Sequence, residues 1–423
     1  MGAVAAGALW LFTGGALAAD DPAGAPPPPA DDPTTEVAPA PSPDDPAATP
    51  ADTPADEEPP AAEPEVRAPH DADVPPDLDA PKDGDVVILG VPLSFSGNFW
   101  TDVGFMKRLN ERQGQYDQDA TYMQGRFVLA AEHTSGLGDT YYATARVELL
   151  GFVNEFTKSQ FEAHVQDAYV IAGSRLWDVQ VGRFLAWEVY HRGQGIELYT
   201  AEEAGALEGP SLYWLQVTRG HRNEAGQLAF HLFPTDWLAF ELAGVYGQES
   251  NQNNLGVRPV VALDFGRLDV KLGYEYLAQL PQTDADKVEV KTQGFAAMVS
   301  YAFPHLTLGA DVGHASVDYT DIQGLTDGEK TFDKTSVGGF ADIDFADSSI
   351  GLGYHFTMQE NEQGEQNTHH QAFVTFLQHL PIPGLSVKLV YGFATAHIQD
   401  IDVGSEWDNT MHSVRLRVAY DFQ

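Results

Sequence analysis

Arg415 and Arg417 stand two residues apart near the end of the chain. Val414, Leu416, Val418, Tyr420 and Phe422 hold the opposite parity. In extended backbone, residues i and i+2 share a face, so this segment has one charged face and one apolar face. The same parity places Arg126, Arg146, Lys271 and Lys388 on polar faces, with Glu132, Glu148, Asp178, Glu241, Asp264, Asp269, Glu275, Asp311, Asp342 and Asp344. Charges fixed along a wall in contact with water attract counter-ions and orient polar solutes without making or breaking bonds. Ten acids against six bases on these faces predicts a mild preference for cations. That preference should fade as salt rises, because the Debye length falls to ~3 Å at 1 M.

Other chemistries lack their residues. The chain has no Cys, so it has no thiolate nucleophile, disulfide framework or Cys-based zinc site. No G-x-S-x-G, H-E-x-x-H or P-loop occurs, and an enzyme is not expected. His369 and His370 look like a metal pair, but adjacent strand residues point to opposite faces, so no metal and no cofactor is expected. The net charge of −39 argues against nucleic-acid binding, which needs a basic footprint.

The elements that would position these charges are β-strands. Leu268, Val270, Leu272, Tyr274 and Tyr276 oppose Asp269, Lys271 and Glu275; Ala145, Val147 and Leu149 oppose Arg146 and Glu148. Charge on the inner face of every strand would ruin a soluble sandwich, whose facing surfaces must be apolar. It suits an all-β transmembrane antiparallel barrel, with lipid outside and water inside. A mean hydropathy of −0.25 is compatible with this, because the polar lining offsets the lipid face in any average. Sixteen spans, from 93–106 to 410–422, fit strands. Short turns near Ser174-Arg175, Thr235-Asp236, Gly266-Arg267, Pro304-His305, Asp347-Ser348 and Pro381–Gly384 alternate with longer polar connections at 107–119, 249–256, 279–287, 318–331, 360–368 and 398–410. Residues 210–219 are also strand-like but would break that alternation, so they are assigned to a loop; eighteen strands is the alternative count. Trp100, Trp177, Tyr190, Trp237, Tyr319 and Trp407 are expected in interfacial girdles. Arg183 shares parity with Trp177 and Val179, so the strand is expected to end or bulge at Gly182.

The first part of the chain is a different polymer. Residues 1–19 read as a signal peptide, with Leu9-Trp10-Leu11-Phe12 at the apolar centre and an A-x-A site at Ala16-Leu17-Ala18. No Lys or Arg precedes the apolar run; an upstream start or an uncleaved anchor would account for that, and a cleaved signal is favoured. Residues 20–87 are rich in Pro, Ala, Asp and Glu. Between 20 and 85 they carry nineteen acidic residues against Arg67 and Lys82. Such a segment cannot bury enough apolar surface to collapse, so it is expected to be a disordered periplasmic linker. Residues 88–423 are expected to form the barrel.

Amphipathic strands in this number, an export signal, long loops and an aromatic terminal strand together resemble bacterial outer-membrane porins. The resemblance covers roughly 88–423 and is architectural, so no subfamily is assigned. It implies passive diffusion of small hydrophilic solutes and ions, contact with outer-membrane lipid, a homotrimer, and insertion machinery that reads the terminal strand. Here Gln423 follows Phe422, displacing that signal by one residue. The resemblance also implies a third loop folded into the lumen, at about 185–225. Its expected constriction residues are Trp187, Glu188, Tyr190, His191, Arg192, Glu197, Glu202 and Glu203. In a closed barrel the last strand pairs with the first. Arg415, Arg417, Arg126 and Arg146 then form one basic arc, which the loop carboxylates could face across the lumen. The plainer alternative pairs each arginine with a neighbouring wall carboxylate, such as Arg146 with Glu132. Two other functions stay open. One is a substrate-specific channel for sugars, using Trp187, Tyr190, Tyr199, Tyr213 and Trp214, or for anions. The other is a non-conducting barrel, its lumen blocked by the long loop, that anchors or binds at the surface.

Overall fold

The computed structural model describes residues 86–88, 91–110, 118–138, 140–154, 160–189, 226–249, 252–281, 289–320, 331–361, 364–400 and 405–422. The expected signal peptide and nearly all of the acidic linker lie outside them. The strands are β1 (Val86–Ile88), β2 (Val91–Asn110), β3 (Gln118–Leu137), β4 (Tyr141–Asn154), β5 (Gln160–Ser174) and β6 (Trp177–Arg183). They continue with β7 (Gln227–Thr235), β8 (Leu238–Glu249), β9 (Gln252–Asp264), β10 (Leu268–Pro281), β11 (Glu289–Phe303) and β12 (Leu306–Thr320). The last are β13 (Thr331–Phe345), β14 (Ser348–Asn361), β15 (Gln366–His379), β16 (Leu385–Asp400) and β17 (Ser405–Phe422).

β2 to β17 pair antiparallel in sequence order, and β17 pairs with β2 from Asn409↔Asn110 to Phe422↔Gly97. The wall is therefore a closed sixteen-stranded barrel, as the period-two pattern predicts. Closure leaves the wall without an edge strand, which a sheet in hydrocarbon requires. The short β1 only folds back on the first residues of β2.

Outward positions are apolar and exposed, among them Phe105, Leu149, Val257, Leu272, Leu352, Leu389 and Leu416. A band this continuous would aggregate in water and is at home against acyl chains. Aromatic residues concentrate at the end bearing the short turns. Trp177 lies 6.4 Å from Tyr141, and Trp237 stacks 5.7 Å from Phe265. Nearer the other end, the outward-facing Tyr354 and Tyr391 hydroxyls bond the Nδ1 atoms of His370 and His412 at 2.7 and 2.8 Å. His369 is buried on the inward face, so the two adjacent histidines do point apart.

Three expectations change. β8 runs to Glu249 and β9 starts at Gln252, so the long connection expected at 249–256 is mostly strand; 360–368 and 398–410 shorten likewise. A hairpin rising beyond the lipid needs no apolar face, so its sequence looks like loop. Trp100 is no girdle residue. It sits on the inward parity of β2, buried, with Arg417 stacked 3.7 Å from its ring centre. Tyr319 also has inward parity, beside Phe332 at 5.7 Å. Tyr190 and the Trp407 side chain lie outside the described residues.

Candidate functional site

The chain leaves the wall at Gly182. Its φ is +135°, and a Cβ there would lie 2.2 Å from the Ala168 carbonyl oxygen, so only glycine fits. A bulge in β5 opposite Glu148/Leu149 makes Gln166 the extra residue. The Gln166 carbonyl accepts from Arg183 Nε at 2.9 Å, and its side-chain oxygen accepts from Arg126. Arg183 is thereby kept out of the lipid its parity would give it.

Phe184–Val189 then crosses the inner wall instead of continuing it. Phe184 and Ala186 pack on Ala229 of β7 and Ala243 of β8, with Tyr169 of β5 alongside. Val189 packs on Val260, Ala296, Met298 and Ala315, on β9, β11 and β12. A Cβ on Gly273 of β10 would lie 2.7 Å from Val189 Cγ2. Small residues beneath the crossing let two backbones approach, and the buried apolar contacts hold the segment down. This stretch is the root of the expected inward loop. His191, Arg192, Glu197, Glu202, Glu203 and the rest of 190–225 lie outside the described residues.

Ionic contacts pin the same root. The Trp187 N–H donates to both Glu241 oxygens, at 3.0 and 3.1 Å, and Arg258 donates to the Trp187 carbonyl. Arg258 also bonds Glu241 at 3.2 Å and lies 3.7 Å from Glu275. His231 places Nδ1 2.5 Å from Asp178 and Nε2 3.2 Å from Glu241. The Tyr142 hydroxyl donates to Asp178 at 3.0 Å. The Trp187 ring stacks on His231 at 5.0 Å and 10°. Trp187 is therefore engaged with the wall, and Glu188 beside it is buried. Asp178 and Glu241 have the inward parity expected of lumen acids, but they are consumed in this clamp.

The basic residues converge on the other side. Because β17 pairs with β2, then β3 and β4 follow, Arg415, Arg417, Arg126 and Arg146 occupy one arc of the wall. The arc is interleaved with carboxylates. Arg417 grips Asp102 through Nε and Nη2 at 2.6 and 2.7 Å, and Arg415 lies 3.5 Å from the same carboxylate. Arg146 reaches Glu132 at 3.2 Å and Glu148 at 2.8 Å, so the wall-carboxylate alternative holds for Arg146. Asp269, Asp342 and Asp344 keep inward parity nearer the short-turn end, Asp344 exposed. Counting strands around the closed wall, β10 lies eight from β2 in either direction. The loop root on Gly273 thus faces the arc from across the barrel.

Sequence reasoning missed Asp102, Arg108, Arg258 and His231. In β2, Trp100 and Met106 are apolar yet inward, so both parities look hydrophobic and the inward Asp102 and Arg108 are hidden. His231 alternates with Leu228 and Phe230 and could have been found by parity. Its role could not, because both of its partners come from other strands. Among the described residues no group of three or more His, Asp or Glu could hold a metal ion.

No protein-family model matches the chain, and no curated protein does. Solved structures do. The anion-selective porin from Comamonas acidovorans is 14% identical with a TM-score of 0.54, covering 78% of this chain and 99% of its own. The outer membrane channel DcaP of Acinetobacter baumannii is 12% identical with a TM-score of 0.54, covering 80% and 99%. OmpT, an outer membrane protein of Vibrio cholerae, is 13% identical with a TM-score of 0.53, covering 80% and 99%. At such identities the likeness concerns architecture, and the chain has the sixteen-stranded barrel fold of outer-membrane porins.

Proposed function

We propose that this protein is an outer-membrane porin through which small hydrophilic solutes and ions diffuse passively, with a mild preference for cations. The observation that carries the reading is the loop root laid along the inner wall opposite the basic arc. Phe184, Ala186 and Val189 of the root pack on the wall, which suits a loop that narrows a passage. Carboxylates outnumber basic groups on the inward face even after Arg108, Arg258 and Lys334 are added to the expected six, which favours cations. The partly exposed Arg146 and Arg417 on the arc would contribute to a transverse field across the passage. In this reading residues 1–19 direct export, 20–87 form a periplasmic tether, and the short turns face the periplasm. The terminal strand serves insertion into outer-membrane lipid, and the assembly is a homotrimer.

Anion preference is the second reading, and the five guanidinium groups on the side of the arc, Arg108, Arg126, Arg146, Arg415 and Arg417, favour it. Single-channel recording across a salt gradient tests both. Stepwise conductance with a cation-directed reversal potential is expected; an anion-directed one supports the second reading, and silence supports an anchor.

A further inference from the structure

We propose that His133 and Ser135 form an esterase dyad on the outer face of the barrel, acting on the acyl ester of a membrane lipid at the short-turn end. Both residues lie on β3 and share the outward parity of the exposed Met123 and Phe127. The dyad is thus on the other side of the wall from the lumen, and its activity is separate from diffusion through it. His133 Nε2 lies 2.7 Å from the Ser135 hydroxyl oxygen, and Nδ1 lies 2.7 Å from the Pro92 carbonyl oxygen. A carbonyl only accepts, so Nδ1 carries the proton. The neutral ring then has a bare Nε2, and the Ser135 hydroxyl donates to it. That is the arrangement of a nucleophile, its base and an acceptor that orients the base. No spacing along the chain marks it, because the orienting carbonyl comes from another strand. The β2–β3 ladder ends at Ser94↔Glu132, and β1 pairs with residues 91–93 beyond that point, which fixes Pro92.

The surroundings point to the substrate. Across the ladder Ser135 faces Ala143 and His133 faces Ala145 of β4, and Ala172 and Val170 of β5 come next. These side chains form a low apolar strip beside the hydroxyl, suited to an acyl chain. One rung nearer the turn, Leu137 faces Tyr141, whose ring lies 6.4 Å from Trp177. Outward Tyr and Trp sit at headgroup level, so the dyad lies near the depth of phospholipid ester groups. In the reaction Ser135 Oγ bonds the ester carbonyl carbon while its proton passes to His133 Nε2. The imidazolium keeps its Nδ1–H on Pro92. The proton on Nε2 then goes to the glycerol oxygen as the C–O bond breaks, releasing lysolipid and leaving acyl-Ser135. Water attacks the acyl group in the same way, giving a fatty acid and restoring the hydroxyl. The Val128 carbonyl lies against Gly97 of β2, so by alternation Thr134 turns its main-chain N–H to that side, past the end of the ladder. That N–H, next to Ser135, is the donor for the oxyanion.

The full chain, folded in detergent and in phosphatidylethanolamine vesicles, tests this. A fluorophosphonate probe should label Ser135, located by mass spectrometry, and the vesicles should release fatty acid and lysolipid. Ser135→Ala should lose both the label and the release. His133→Gln can still donate to the Pro92 carbonyl but supplies no base, and it should slow labelling by ~10²-fold or more. A Ser–His contact that only caps polar groups at the rim predicts no label on any of these proteins. If Ser135→Ala does not insert, His133→Gln and the labelled position in the wild type decide the matter. An unlabelled Ser135 in the wild type, or equal fatty-acid release from wild type and Ser135→Ala, overturns the proposal. Labelling of Ser135 without release from vesicles overturns the lipid as its substrate. Neither readout uses conductance, so a silent channel would reject the porin reading without touching the dyad.

Discussion

The two sides of the lumen use the same residue types in opposite ways. On the arc formed by β17, β2, β3 and β4, Arg146, Arg415 and Arg417 pair with carboxylates on their own or an adjoining strand, and Arg126 bonds the Gln166 side chain. On the wall formed by β6 to β10, carboxylates are in excess, and His231 and Arg258 knit three strands to a segment that belongs to none of them. On the arc Arg146 and Arg417 are partly exposed to the passage, while Arg126 and Arg415 are buried behind them. The clamp spends its charge on fixing backbone. Charge exposed to water acts through its field and is screened by salt, whereas buried charge acts through geometry and is not.

The largest effect is expected from Glu241→Ala. It leaves His231 and Arg258 buried without their shared partner and frees the Trp187 N–H. A loss of about 3–5 kcal/mol is expected, read as a lower unfolding midpoint in detergent. Survival of both the midpoint and the conductance would show that apolar packing alone holds the root. Gly182→Val comes next. The φ of +135° and the 2.2 Å approach to Ala168 should cost roughly 1–3 kcal/mol and redirect the loop, seen as altered single-channel conductance.

On the arc the expected changes are in selectivity. Asp102→Asn removes the carboxylate that Arg415 and Arg417 share, so the reversal potential should move toward anions; Arg415→Ala with Arg417→Ala should move it toward cations. An unchanged conductance and reversal potential in the double variant would remove the arc from the filter. Asp102 and Arg415 are buried, so their share of these shifts should persist in 1 M salt, as should the effect of Glu241→Ala, while the share of the partly exposed Arg417 should shrink. The smallest effect is expected from Trp100→Leu, which removes the indole beneath Arg417. About 1 kcal/mol is at stake, with little change in selectivity because Arg417 keeps Asp102.

Much of this was legible in one dimension. Strand parity alone sorts Val414, Leu416, Val418 and Tyr420 to lipid and Arg415 and Arg417 to the lumen, because a strand's side-chain period of two survives without any partner. The repeat of that pattern announces the barrel, and closure follows because an open edge cannot persist in lipid. Legibility failed wherever the residue's neighbour is distant in sequence. Trp100 is hard to place by sequence because both parities of β2 look apolar, and the Arg417 that stacks on it comes from the other end of the chain. The connection 249–256 was misread because hairpins above the membrane obey no lipid pattern.

The sequence by itself therefore determined the architecture: strands, faces, and the stretch near 185 where the period stops. Only the tertiary structure decided what the polar groups do. It turned Asp178 and Glu241 from expected lumen acids into the anchors of His231, and laid Trp187 against the wall. It also gave three of the four arc arginines wall carboxylates, and set that arc opposite the loop. Periodicity is a property of the local backbone and can be read along the chain. Charge compensation depends on which strands closure and a loop crossing bring within a few ångströms, and no spacing along the chain encodes that.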